Sequence, residues 1–194
     1  MSEILYDFGA GRSDPSTFPT EALQAAAVKV IGEQFEAITQ YPGNLGHAGL
    51  RAAMAKREGE REGFPIDPDH LLLTNGSMQA VTLTAEALQE NHDDTVLVEE
   101  FSYPGTLSAY RSLKFDMIGI RLDEGGMRID HMEEELDRLD KEGRKPKFIY
   151  AISTYQNPTG FNMPKARRQE MIELAHRHEV PIIEDNCYAD VHYE

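Results

Sequence analysis

Apolar positions along the chain fall into two kinds of pattern. Before residue 60 they recur at helical spacing. Leu23, Ala27, Val30 and Ile31, with Gln34 in the same rhythm, predict a helix over 21–35, and a second helix is predicted around 50–57. Stretches rich in turn residues, 9–15 and 41–46, read as loops. From residue 70 the pattern changes to short apolar runs at 71–74, 96–98, 117–122, 148–152 and 181–185. Between them, 78–88, 106–113, 130–141 and 164–178 read as helices. Asp130 and Glu133 have capping-box spacing, Gly143 is a plausible helix stop, and Pro164 suits a first helical turn. Short strands alternating with helices predict an α/β fold, a three-layer arrangement around a mainly parallel sheet with right-handed crossovers.

Composition narrows the class. Acidic residues outnumber basic ones by 34 to 19, for a formal charge of −15. Such a balance argues against nucleic acid and against an anionic membrane surface, both of which select Lys and Arg. A charged fraction of 27% beside a hydrophobic fraction of 40% fits a folded globular chain rather than a disordered one. No apolar run approaches the ~18–20 residues of a membrane span. The first residues lack the basic and apolar regions of a signal peptide. The single cysteine, Cys187, has no internal partner for a disulfide, and the expected compartment is the reducing cytoplasm. The acidity reads as a solvated surface, with adaptation to high salt as the alternative.

In an open parallel sheet, ligands bind beyond the carboxyl ends of the strands. The segments that follow the predicted strands therefore hold the candidate chemistry. Gly76, Ser77 and Met78 open a helix, where free backbone N–H groups favour a phosphate; a plain N-cap by Ser77 is the alternative. Tyr103 follows the second run and either stacks on a ligand ring or fills the core. Asn157 precedes Pro158 in a turn-like segment. Asp185 ends an apolar strand, so its carboxylate needs a partner. Two rival sites are weaker. Glu184, Asp185, Asp190, His192 and Glu194 match no closed metal motif, so no metal is expected. Gly9-Ala10-Gly11 lacks the third glycine of a dinucleotide fingerprint.

Taken in order, Tyr41-Pro42 with Gly46 and Leu50-Arg51, Thr74 to Ala80, Tyr103-Pro104-Gly105, Gln156 to Gly160 and Glu184 to Tyr188 resemble the fold-type I, class I and II aminotransferases, which use pyridoxal 5′-phosphate. The resemblance is nearest to the branch containing 2-aminoadipate aminotransferases, and Phe8 to Gly11 with Phe18-Pro19 also fit it. It implies a transfer of an amino group between an amino acid and a 2-oxo acid. It implies that Gly76, Ser77 and Met78 hold the cofactor phosphate and that Tyr103 stacks on the pyridine ring. Asn157 and Tyr188 would meet the ring's 3′-oxygen, and Asp185 would pair with the protonated ring nitrogen. Tyr41 would reach the phosphate of a neighbouring subunit in a homodimer, and Gly11 and Arg12 would border the substrate.

The resemblance also implies an N-terminal arm and helix over 1–40 and an incomplete cofactor-binding domain over 41–194. The lysine that forms the Schiff base lies in this family roughly thirty to forty residues beyond the aspartate, and Lys29, Lys56, Lys114, Lys141, Lys145, Lys147 and Lys165 match no such motif. The expected chain is an N-terminal fragment, inactive by itself. In the sheet, 182–185 is expected between 148–152 and 96–98, with 96–98 also beside 117–122 and 71–74 unpaired. A carbon–sulfur lyase of the same fold, or the non-catalytic sensor part of a transcription regulator, are the alternatives.

Overall fold

The computed structural model describes residue 11 and residues 13–191. They divide into two compact units at Leu73 and Thr74. Among the described residues no helix is long and apolar enough to cross a membrane.

The first unit is helical. A 3-10 turn, Pro15–Thr17, is capped by the Asp14 carboxylate, which accepts the Ser16 N–H at 2.9 Å. Then come α1 (Thr20–Glu33), α2 (Phe35–Thr39) and α3 (Ala48–Glu62). The single helix expected over 21–35 ends at Gln34, whose φ of −123° leaves the helical region, and Phe35 starts a new one. The second helix outruns its predicted 50–57. Its start is fixed by His47, whose Nδ1 accepts the Leu50 N–H at 3.2 Å. Its later turns are charged and lack apolar spacing, but Lys56–Glu60 and Arg61–Glu58 pairs support them. Gly63, at φ +80°, ends it in the left-handed conformation.

Below α3 a second 3-10 turn, Pro68–His70, is stapled back by Arg51. That guanidinium donates to the Pro68 and Gly46 carbonyls and to Asp69. The 71–74 run forms no strand; Leu73 instead donates its N–H to the Leu45 carbonyl at 3.0 Å.

The second unit holds the sheet. Its elements are α4 (Ser77–Leu88), β1 (Thr95–Glu99), α5 (Pro104–Ser112), β2 (Asp116–Ile120), a small antiparallel pair β3 (Leu122–Asp123) and β4 (Gly126–Met127), α6 (Ile129–Lys141), β5 (Ile149–Ala151), α7 (Lys165–Arg177) and β6 (Ile182–Glu184). The main sheet is parallel in the order β2-β1-β5-β6. Register runs Leu97 to Ile118 on one side and Leu97 to Ile149 on the other, then Ile149 to Ile182.

This order corrects one expectation. The 182–184 strand pairs with β5 alone and does not touch 96–98. A strand has two edges, and β1 uses both for β2 and β5, so β6 can add only to the outer edge of β5.

Strand periodicity sorts the core into two faces. Leu97, Ile149 and Ala151 point to one side, against Met132, Leu136 and Leu139 of α6 and Met171, Leu174 and Ala175 of α7. Val96, Val98, Tyr150 and Ile152 point to the other, against Val81 and Ala85 of α4 and Tyr110 of α5. The three-layer α/β fold therefore stands. On the α4–α5 side Tyr110 meets Phe148, Tyr150 and Phe115 edge-on, with ring centroids 5.2, 5.6 and 5.9 Å away.

Two predicted helix signals differ in detail. Asp130 does not cap α6: Arg128 precedes the helix, and Asp130 sits in its first turn, taking the Arg128 guanidinium and the His131 N–H. Pro164 stands just before α7 rather than in its first turn. Gly143, at φ +69°, does follow α6.

Candidate functional site

At the carboxyl edge of the sheet, β1 leads into 99–103, β5 into 152–163 and β6 into 185–188. β5 and β6 are neighbours, so the turns after them are too.

Asp185 continues the ladder by donating its N–H to the Ala151 carbonyl at 2.9 Å. Its Oδ2 accepts the Tyr150 hydroxyl at 2.8 Å. The Tyr150 oxygen is also 3.1 Å from Thr106 Oγ1. Because the phenol proton is committed to Asp185, Thr106 is the donor in that second bond. Tyr150 and Thr106 are fully buried, so a three-residue chain from α5 through β5 fixes the carboxylate at the end of β6. Burial, then the bond to Asp185, raises the Tyr150 phenol above its ordinary range. Burial and the Asp185 charge do the same for Tyr110. Both phenols stay protonated beside the carboxylate, which answers the sequence-based demand for a partner at Asp185.

Asn157 donates from Nδ2 to the Tyr188 hydroxyl at 3.3 Å, joining the turns after β5 and β6. The Asn157–Pro158 peptide is cis. The loop bearing Asn157 is held from several directions. Tyr155 donates its N–H to Asn162 Oδ1 at 2.7 Å, and Arg168 donates to the Ser153 and Met163 carbonyls at 2.8 and 2.9 Å.

Tyr103 precedes α5 and is 40% exposed, so it is not a core residue. Its ring lies over Gly105: a Cβ there would fall 2.5 Å from Tyr103 Cε1. A side chain at 105 would lift the ring.

At the start of α4 the cap is Gly76, at φ +83°, and not Ser77, which is the first helical residue. No side chain caps this end, so the first-turn N–H groups point outward with open space in front of Gly76. Ser77 is exposed. Gln79 turns back to accept the Asn75 N–H at 2.7 Å, which fixes the entry of the chain into the helix.

Tyr41 belongs to the first unit and is fully exposed. Gly11 is exposed and irregular, and Arg12 lies outside the described residues, as do Phe8 to Ala10, His192 and Glu194. Cys187 is free and exposed.

One feature of this edge was not singled out from the sequence. Glu99, the last residue of β1, is 1% exposed. Its Oε1 accepts the Ile152 N–H at 3.2 Å, and its Oε2 accepts Ser102 Oγ and Gln156 Nε2, each at 3.0 Å. Burial pushes its carboxyl up to about 6 against the pull of these donors. The available signal was a carboxylate closing the run Thr95 to Val98, which demands buried partners.

The donor set fits an aromatic phosphate ester carrying a basic ring nitrogen. An uncapped helix start can take an anion, an anchored carboxylate suits a ring N–H, and a half-exposed aromatic ring and an amide stand in the turns after β1 and β5. Pyridoxal 5′-phosphate has these features.

Comparison with known proteins gives the same direction. The family model "Aminotransferase class I and II" matches residues 5–194. The aromatic-amino-acid aminotransferase 1 of Thermococcus litoralis is 36% identical over 192 residues, covering 99% of this chain and 46% of the relative. The 2-aminoadipate transaminase of Thermus thermophilus is 30% identical over 189 residues, covering 97% and 45%. An archaeal alanine:glyoxylate aminotransferase of known structure superposes with a TM-score of 0.83 at 32% identity, over 91% of this chain and 43% of that one. The chain thus spans about half the length of the curated relatives it matches.

Proposed function

Because the chain belongs to the class I and II aminotransferases, we propose that its second unit is the pyridoxal 5′-phosphate cradle of an enzyme moving an amino group between an amino acid and a 2-oxo acid. The observation that carries this reading is Asp185, anchored by Tyr150 at the carboxyl edge, in the turn whose Tyr188 is joined to Asn157 of the neighbouring turn.

The bound cofactor supplies an electron sink for the bond-breaking at the substrate Cα. Asp185 would pair with the ring nitrogen and hold the proton there. Tyr150 and Thr106 keep that carboxylate from rotating away. Tyr103 would stack on the ring, and the glycine at 105 leaves room for its side chain. Asn157 and Tyr188 orient the ring through its 3′-oxygen. The N–H groups of Ser77 and Met78, with the Ser77 hydroxyl, take the phosphate. Tyr41, fully exposed, serves the phosphate of a second subunit in a homodimer, and Gly11 with Arg12 borders the substrate. The arm over 1–40 and the cofactor domain over 41–194 divide these tasks.

An amine must also move the Cα proton. Lys114 and Lys147 immediately precede β2 and β5, at the edge of the sheet opposite Asp185, and Lys147 is committed to Glu90 at 2.7 Å. Lys145 is paired with Glu179 at 3.1 Å. None of these three is assigned to the proton transfer, and Lys29, Lys56, Lys141 and Lys165 match no motif for it.

The test is a titration of the protein with pyridoxal 5′-phosphate followed by absorbance, with Asp185→Asn alongside. The substitution removes a charge-assisted bond and should weaken uptake by about ten- to a hundredfold. Equal affinity of the two proteins would remove Asp185 from the site. Borohydride reduction should label no single lysine, and keto-acid formation should not exceed that of free cofactor.

A further inference from the structure

Glu99 has no part in the roles assigned above, yet it is the most deeply buried carboxylate described for this edge. We propose that Glu99 is a positioning residue for the cofactor ring: it locks Gln156 and Ser102, and so fixes the two turns that carry Asn157 and Tyr103. The identity of the ring rests on the pyridoxal phosphate reading.

Gln156 is 2% exposed, and every polar atom of its side chain is used. Nε2 donates to Glu99 Oε2 at 3.0 Å and to the Phe101 carbonyl at 2.7 Å. Oε1 accepts the Thr159 N–H at 2.9 Å and Thr159 Oγ1 at 2.7 Å. Turning the amide over would set its NH2 against the Thr159 N–H and its oxygen against two acceptors, so the side chain has one orientation. That orientation is imposed by Glu99 and Phe101 on one side and Thr159 on the other. Asn157 is the next residue, between Gln156 and the Thr159 contact.

On the other turn, Ser102 precedes Tyr103, and its hydroxyl ends on the same Glu99 oxygen at 3.0 Å. One carboxylate therefore ties both turns to the end of β1.

A carboxylate offers this set two acceptor oxygens. Oε1 faces the Ile152 N–H, and Oε2 faces Ser102 and Gln156. A glutamine at 99 has a single acceptor oxygen. Its NH2 must oppose either the Ile152 N–H or the Gln156 NH2, which leaves a buried donor without an acceptor. An aspartate is one methylene too short to span the same three donors.

The experiment compares wild type, Glu99→Gln, Gln156→Met and the double variant. In the ligand-free proteins, 15N NMR follows the side-chain amide of Asn157. Affinities are measured for pyridoxal 5′-phosphate and for its analogue lacking the 3-hydroxyl, and thermal melting establishes that each variant is folded.

Glu99→Gln should displace the Asn157 amide resonances and weaken pyridoxal phosphate binding by about tenfold, the loss of one buried hydrogen bond. Binding of the 3-deoxy analogue should change by less than about twofold, since the amide's target atom is missing. Gln156→Met should reproduce both effects, and the double variant should add nothing further. If Glu99→Gln does not fold, Gln156→Met carries the same readings. An unmoved Asn157 amide, or equal losses for both ligands, would overturn the proposal and reduce Glu99 to a structural residue. A wild-type protein that binds neither ligand would defeat the cofactor reading, while the amide resonances would still decide whether Glu99 governs Asn157.

Discussion

In residues 74–191, apolar side chains from four strands and four helices are buried on both faces of the sheet. Among the described residues of 11–73, Ala55 is the only buried side chain, while Leu23, Val28, Val30, Ile31, Phe35 and Ile38 are exposed. Yet α1 and α4 look alike in sequence, each with apolar residues at helical spacing. Val81 and Ala85 of α4 lie in the core beside the sheet, and no residue of α1 is buried. Periodicity is a local property and forms the helix; burial needs a second surface, which the periodicity does not specify. The first unit is held instead by single devices, the Arg51 staple and the left-handed Gly46.

The contrast breaks most easily at Leu97, fully buried at the centre of the sheet between Ile118 and Ile149. Leu97→Ala should cost about 2–5 kcal/mol of unfolding free energy in urea. A loss below about 1 kcal/mol would mean that the core is looser than its burial indicates.

Glu99 makes the second unit's stability depend on pH. Its carboxyl titrates at about 6 in the fold, against an ordinary value of 4.5. The fold therefore binds this proton more tightly than the unfolded chain does. The contribution is complete below pH 4.5 and is lost as pH rises through 6, an amount of about 2 kcal/mol at most. Glu99→Gln cannot titrate, so the difference in stability between it and wild type should change by that amount across this window. A constant difference from pH 4 to pH 7 would contradict the burial of the charge.

Gly46 tests the first unit's devices. It sits at φ +89°, and a Cβ there would approach Leu73 Cβ to 2.8 Å. Gly46→Ala should destabilise by about 1–2 kcal/mol from the backbone conformation alone, measured as a shift in the urea midpoint. The smallest effect belongs to Val28, 74% exposed in α1. Val28→Ser should change stability by no more than about 0.5 kcal/mol. A loss comparable to that of Leu97→Ala would show that α1 is covered in solution.

The elements were largely legible because their signals are local. Strand runs at 96–98 and 148–152 appear where the pattern placed them, the run at 117–122 divides at Arg121 between β2 and the small antiparallel pair, and Gly143 marks a helix end as its backbone chemistry requires. The sequence order of the site segments also placed Asp185 and Asn157 at one edge, since a residue following a parallel strand has nowhere else to be. The neighbours of a strand were legible in part: 148–152 does lie beside 182–184 and 96–98 beside 117–120, but nothing in Ile182–Glu184 says that β1 is not its second neighbour, because pairing is a contact between segments far apart in the chain.

The same distinction governs the site. Residue type and spacing by themselves determined the α/β class and the groups available for chemistry, while the family came from the resemblance of the ordered motifs. The partners were decided by the tertiary structure alone. Tyr150 meets Asp185 across 35 positions of sequence, and Gln156 meets Glu99 across 57. A buried carboxylate must find donors, and the sequence announces that need. Which donors meet it depends on how the sheet brings distant strand ends together.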